Sequence, residues 1–177
     1  MEDTIMKDDK LALSKKYDIK WIKSDRFERK GGFTLNGSAK DIFPLLCPVL
    51  EYAWLPGWKC RMAYSDSGAA ENNCVFFTRE APGKTALWTC VAYEPPAFIE
   101  YLVTSGRDVV MRLSVRLAET GRGRTEVDWR MLFTAFSCIG RTLLRRRFTE
   151  AAFDKMMSDR ERELNWYLGH GTMIGKE

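Results

Sequence analysis

The chain has 177 residues, 45% hydrophobic and 29% charged, with 28 basic against 24 acidic side chains and a net charge of +4. That length and balance predict one soluble globular domain with a substantial core, and so small a charge excludes any electrostatic demand for a polyanion such as nucleic acid. The five cysteines, Cys47, Cys60, Cys74, Cys90 and Cys138, are odd in number and form no C-x-x-C pair, which argues against a disulfide framework or zinc knuckle and for a reducing compartment.

No apolar run approaches the ~20 residues of a membrane span. The chain opens with Glu2, Asp3, Asp8 and Asp9 and no apolar segment, so no signal peptide is predicted and a cytoplasmic location is expected. Residues 1–24 read as a polar N-terminal arm or lid, with a helical turn around Lys10–Ser14. Tyr17, Ile19 and Trp21 alternate with Asp18 and Lys20, a pattern shared by an edge strand and a lid segment. Phe27 to Leu35 is the first clear strand, and Gly31-Gly32 in its middle predicts a bulge or kink.

Asn36-Gly37 is a turn. Ser38-Ala39-Lys40-Asp41 has capping-box form and opens a short helix whose apolar face is Ile42, Phe43, Leu45 and Leu46. Pro44 breaks its hydrogen-bond ladder. Pro48 starts a second short helix through Tyr52 and Trp54, and Pro56-Gly57 ends it.

Strands follow at Trp58–Ser65, Cys74–Glu80, Lys84–Tyr93, Phe98–Ser105, Asp108–Glu119 and Arg124–Phe136. The links between them, including Pro82-Gly83, Pro95-Pro96 and Gly121-Arg122-Gly123, are too short for parallel crossovers, so the sheet is an antiparallel meander. Val109, Met111, Leu113, Val115 and Leu117 alternate with Arg112, Ser114 and Arg116, and Val127, Trp129, Met131 and Phe133 alternate with Glu126, Asp128 and Arg130. One face is therefore dry and the other wet, with Arg112 and Arg116 placed to pair across strands with Glu126 and Asp128.

Ser137 to Leu168 reads as one long amphipathic helix, capped by Ser137 and stopped by Gly169 or Gly171. Leu144, Phe148, Ala152 and Met156 form one stripe, and Phe153, Met157, Leu164 and Leu168 continue a neighbouring one. Arg141, Arg145, Arg146 and Arg147 crowd its first turns, where cations oppose the helix dipole.

The order of strand, two short helices, about six antiparallel strands and a long helix resembles the helix-grip fold of the START-like superfamily. Leu55-Pro56-Gly57-Trp58, Tyr93-Glu94-Pro95-Pro96 ahead of Phe98-Ile99-Glu100-Tyr101, and Phe148-Thr149-Glu150 in a helix ending Leu164-Asn165-Trp166-Tyr167-Leu168 resemble its SRPBCC, or polyketide cyclase/dehydrase-like, branch. The likeness runs from about Phe27 to Gly169. It implies an α+β domain over residues 25–170, flanked by the arm and by a tail at 171–177. In it a curved antiparallel sheet wraps around a long C-terminal helix, with two short helices between the first and second strands. It also implies an internal apolar cavity opening near those short helices. The residues expected to line the cavity and touch a ligand are Phe77, Tyr101, Val103, Met111, Leu113, Trp129, Met131 and Phe133 of the sheet, and Phe148, Ala152 and Met156 of the helix. Read by the stripe alone, each of these residues is equally a core residue.

The expected function is binding of a hydrophobic or amphipathic small molecule, lipid-like or polyketide-like, without metal or cofactor and without nucleic acid. The lone histidine, His170, sits in a glycine-flanked tail, which leaves no base for a serine or cysteine nucleophile and no zinc set. A cyclase/dehydrase-type enzyme using the same cavity is the alternative. It would work through polar groups on an apolar wall, for which Tyr64, Tyr101, Glu94 and Arg79 are candidates. A third reading is a surface-interaction protein acting through the Arg141–Arg147 cluster on a phosphate, a lipid head group at a membrane surface or an acidic partner. Nothing in the pattern indicates an oligomeric state.

Overall fold

Apolar and polar residues alternate along Val109–Gly121 (β6) and Arg124–Ala135 (β7), and burial alternates with them. Period two is the pleat of a strand, so each strand lays one apolar row on the interior face. In this computed structural model, which describes residues 12, 14–81 and 84–175, those strands belong to one seven-stranded antiparallel sheet. The others are Asp25–Asn36 (β1), Cys60–Tyr64 (β2), Val75–Ala81 (β3), Lys84–Glu94 (β4) and Phe98–Ser105 (β5). The order is β1-β7-β6-β5-β4-β3-β2, a meander with the first strand added to the edge of the last. The expected Pro82-Gly83 turn and most of the expected Lys10–Ser14 turn lie outside the described residues; residues 14–17 are helical. Register shifts between Met62 and Tyr64, Arg79 and Ala81, Cys90 and Ala92, and Glu119 and Gly121 bend the strands, which curves the sheet.

Gly31-Gly32 makes no bulge. β1 pairs with β7 without interruption from Asp25 opposite Ala135 to Asn36 opposite Arg124. The glycines are there for clearance. A Cβ on Gly31 would stand 3.1 Å from both Met157 Cγ and Phe153 Cε1, and one on Gly32 would stand 2.9 Å from the Val127 carbonyl oxygen.

Between β1 and β2 the chain makes Ala39–Ile42 (α1), a 3-10 turn at Phe43–Leu46, and Glu51–Trp54 (α2). Ser38 caps α1, its Oγ accepting from Asp41 N at 3.3 Å. Trp54 is fully buried and its indole N–H donates to Leu45 O at 2.8 Å, which locks α2 onto the 3-10 turn.

The long helix is two helices, Cys138–Arg147 (α3) and Glu150–His170 (α4). Ser137 caps the first through Gly140 N at 3.0 Å, and Thr149 caps the second through Ala152 N at 3.2 Å. Phe148 between them leaves helical geometry, with φ −112° and ψ 53°, and Arg29 Nε donates to its carbonyl at 2.9 Å. The break moves Arg145, Arg146 and Arg147 into the last turn of a helix. There cations complement the dipole, so the penalty expected at an N-terminus does not arise. α4 ends at Gly171, which takes a left-handed φ of 70°.

α4 buries Phe153, Met157 and Leu164 against the sheet. Its polar side chains also close the free edge of β1: Thr34 N donates to Glu161 Oε1 at 3.2 Å, Asn36 N to Asn165 Oδ1 at 2.9 Å, and Asn165 Nδ2 to Thr34 O at 3.0 Å. An edge strand covered in this way offers no template to another chain. On the wet face Arg112 pairs with Glu100 of β5 at 3.3 Å, on the opposite side from the β7 acids expected for it, and Arg116 lies 4.5 Å over the Phe98 ring.

Candidate functional site

The curved sheet does not close down on α3 and α4 along its full width. A cavity of about 1270 Å³ lies between them. Its floor is aromatic: Phe76 stacks on Trp88 at 5.4 Å, and Tyr101 and Trp58 meet Trp88 edge-on at 5.9 and 6.4 Å. Aliphatic and sulfur side chains from the inward rows of β5, β6 and β7 continue the wall. Among the lining residues those exposed to solvent are Gly57 and Lys59 after α2, Arg79, Glu80, Lys84 and Thr85 at the β3–β4 ends, Gly106 and Asp108 between β5 and β6, and Ile139, Leu143 and Arg147 of α3. The mouth therefore runs from the end of α2 across the strand tips to α3, wider than an opening at the short helices alone. Ile139 is 72% exposed and Leu143 52%, an apolar rim one helical turn long.

Tyr101, Val103, Met111, Leu113, Trp129, Met131, Phe133, Phe148 and Met156 all line this cavity. Phe77 and Ala152 do not, and both expectations are corrected. Phe77 lies on the outer face under Arg61, whose guanidinium is 5.8 Å from the ring, while Phe76 takes the interior position. Strand parity is strict, so an error of one residue inverts the face. Ala152 is exposed in the first turn of α4 and does not reach the cavity, while Met156 one turn on does; Phe153 beside it is buried.

Polar groups in the wall are few and nearly all are satisfied within the protein. Tyr101 donates to Leu46 O at 3.3 Å, and burial pushes its phenol well above the usual range. Trp88 donates to Thr78 Oγ1 at 2.8 Å and Trp58 to Pro48 O at 2.8 Å. Arg160 pairs with Glu163 at 2.7 Å and lies 5.8 Å over Trp54.

Two groups are exceptions: the buried Trp129 indole N–H, which has no partner among the described residues, and Glu51. Glu51 lines the cavity from the first turn of α2, and among the described residues its carboxyl has no hydrogen bond or ion pair. Burial pushes that carboxyl up to about 8, against the opposing pull of the Arg160 cation. From the sequence alone Glu51 is an unremarked acid in a first helical turn, a place acids commonly take to complement the dipole. Its one signal is position: it lies between Pro48 and Trp54 in a segment too short and too apolar to be surface helix.

Of the other candidate acid–base residues, Tyr64 is exposed and donates to Asp66 at 3.0 Å, Glu94 does not line the cavity, and Arg79 stands at the mouth. His170 falls in the last turn of α4, stacked on Trp166 at 3.9 Å. Within the basic cluster Arg145 is bound to Asp25 at 2.8 Å and Arg147 covers Phe148 at 5.4 Å. Among the described residues no three His, Cys, Asp or Glu side chains converge as a metal site, and no helix is long and apolar enough to cross a membrane.

Fold and site together define a helix-grip domain built around an apolar cavity. Solved structures share the architecture. A truncated norcoclaurine synthase from Thalictrum flavum aligns with a TM-score of 0.62 at 13% identity over 90% of this chain and 100% of that one; the same enzyme has been solved in complex with dopamine and hydroxybenzaldehyde. An uncharacterised protein from Rhizobium leguminosarum aligns at 0.55 and 14% identity over 81% of this chain and 100% of its own. DynU16, from the dynemicin biosynthetic locus, aligns at 0.54 and 11% identity over 82% of this chain and 48% of its own. At such identities the likeness establishes the fold. No protein-family profile and no curated protein sequence matches the chain.

Proposed function

We propose that the protein binds a hydrophobic or amphipathic small molecule, lipid-like or polyketide-like, inside the cavity. The observation that carries this reading is about 1270 Å³ of space against a mainly apolar wall. Small-molecule pockets commonly measure ~300–1000 Å³. Unfilled apolar space on that scale forfeits dispersion contacts and lowers stability, so its presence points to an occupant. Met111, Met131 and Met156 give the wall adaptable shape. Norcoclaurine synthase, which shares the fold, takes small aromatic molecules, which supports the reading at the level of ligand size.

Native mass spectrometry of the protein as purified tests it. The expected result is an adduct of a few hundred daltons that is lost on denaturation. A protein that carries no adduct and takes up no apolar dye would refute the reading.

A cyclase/dehydrase-type enzyme is the second reading, and Glu51 is the observation in its favour. A carboxyl that titrates near 8 can move a proton at neutral pH. Recovery of a bound compound unchanged after prolonged incubation separates a carrier from an enzyme.

A further inference from the structure

We propose that Glu51 is the polar anchor of the cavity, donating a hydrogen bond from its carboxyl to a carbonyl or hydroxyl oxygen of an otherwise apolar, uncharged ligand. The proposal rests on the reading of the cavity as a small-molecule site and says which chemistry that site selects.

Satisfaction of the wall is the first argument. Tyr101, Trp58, Trp88 and Arg160 each spend their donors on the protein itself. Glu51 spends nothing and, with the Trp129 indole N–H, is one of two wall groups left without a partner among the described residues; a polar group withdrawn from water is costly unless something supplies a partner. Rigidity is the second. The Glu51 backbone N–H is held by Cys47 O at 2.9 Å, and Trp54 one turn on is held by Leu45 O at 2.8 Å. The carboxyl is thus presented from a fixed support, as a specificity group should be.

Charge is the third. Arg160 and Glu163 cancel one another. An ionised Glu51 would then be a lone anion in an apolar wall, and a ligand carboxylate would add a second. A ligand ammonium would compensate Glu51 only by ionising it, against the burial that favours its protonated form. An uncharged acceptor leaves the cavity neutral. The ionisable groups that face Glu51 are Arg160 from α4, Cys60 from β2 and Tyr101 from β5. Of these only the arginine is charged at neutral pH, and Lys59 stands at the mouth.

A matched probe series tests the proposal: ethylnaphthalene, acetylnaphthalene, naphthoate and naphthylmethylamine, each titrated against the full chain. The wild type is expected to prefer the ketone over the hydrocarbon by about five- to tenfold at pH 7. With Glu51 near 8, the protonated fraction falls from ~0.9 at pH 7 to ~0.1 at pH 9, so ketone affinity drops about three- to fivefold, towards that of the hydrocarbon, while hydrocarbon affinity stays level. Glu51→Gln keeps a donor and is expected to keep the preference without its pH dependence; Glu51→Leu is expected to abolish the preference. Equal binding of ketone and hydrocarbon by the wild type, a preference that survives Glu51→Leu, or tightest binding of the amine or the carboxylate would each overturn the anchor. Those outcomes leave the cavity reading intact. Failure of all four probes to bind would instead remove the cavity reading itself. The wild-type pH profile needs no variant to fold.

Discussion

Arg145, in the last turn of α3, holds Asp25, the first residue of β1, through two hydrogen bonds: Nε to Oδ2 at 2.8 Å and Nη2 to Oδ1 at 3.1 Å. The paired geometry is the strong form of an arginine–carboxylate contact, and the guanidinium also lies 5.1 Å over the Phe27 ring. It ties the helix at the cavity mouth to the opposite end of the chain. Loss of the contact in Arg145→Ala is expected to speed amide hydrogen exchange in α3 while leaving α4 unchanged, and added salt should have a similar but weaker effect. The hydrogen bond from Arg145 holds the Asp25 carboxyl below its usual range. A carboxyl lowered on folding contributes fully above its unfolded value of ~3.9 and ceases to contribute as pH falls through the lower folded value. Protection of α3 should therefore fade below about pH 4 in the wild type and show no such pH step in Arg145→Ala. Identical α3 exchange in both proteins would show that the pair does not hold the helix.

Thr149 makes the break between α3 and α4 an ordered one. Its hydroxyl caps α4 while Arg29 takes the Phe148 carbonyl, so groups freed by the interruption are paired. Thr149→Ala is expected to cost ~1 kcal/mol in chemical denaturation, the usual value of an N-cap. Thr149→Ser should restore most of it. An alanine variant as stable as the wild type would mean that the Phe148–Arg29 contact alone sets the break.

The element order and the one-sided sheet were legible because β6 and β7 are long strands with unbroken alternation, where parity admits one answer. Short helices were legible from Ser38, Pro44 and Pro48, each with a fixed backbone preference. The helix break was written in the chain too: three arginines followed by Phe148, Thr149 and Glu150 form a C-terminal signal and then an N-cap with an acid behind it. The absence of proline and glycine hid it. Gly31 and Gly32 looked like a bulge because a sequence shows which residue lacks a side chain but does not show what approaches it. Glu51 was illegible for a deeper reason. Its chemistry depends on walls supplied not only by the neighbouring β2 but by β5 and α4, both distant in sequence.

Phe76 and Phe77 test the face assignment of β3. Val75-Phe76-Phe77-Thr78 has no alternation to decide which ring turns inward, and the structure buries Phe76 to 1% exposure against Trp88. Phe76→Ala should therefore cost ~3 kcal/mol or more. Phe77→Ala removes a ring from the outer face and should stay within ~1 kcal/mol. A reversed ranking in equilibrium unfolding would place β3 one residue out of register and move its contribution to the cavity wall.

Met156 and Ala152 separate the cavity from the helix that bounds it. Met156 lines the cavity and Ala152, one turn earlier, is exposed. Met156→Trp places an indole in the space a ligand would occupy; with about 1270 Å³ free the ring has room, so the overpacking penalty of ~1–3 kcal/mol seen in filled cores should not appear. Uptake of an apolar probe should fall at least tenfold while the melting temperature holds or rises. Ala152→Trp adds the same ring at an exposed position outside the cavity lining and should leave both quantities unchanged. Because the two substitutions add equal hydrophobicity on one helix, a difference between them reports the cavity and not the stickiness of α4. Equal probe uptake by both variants and the wild type would place the probe elsewhere on the protein and remove the main support for a ligand inside.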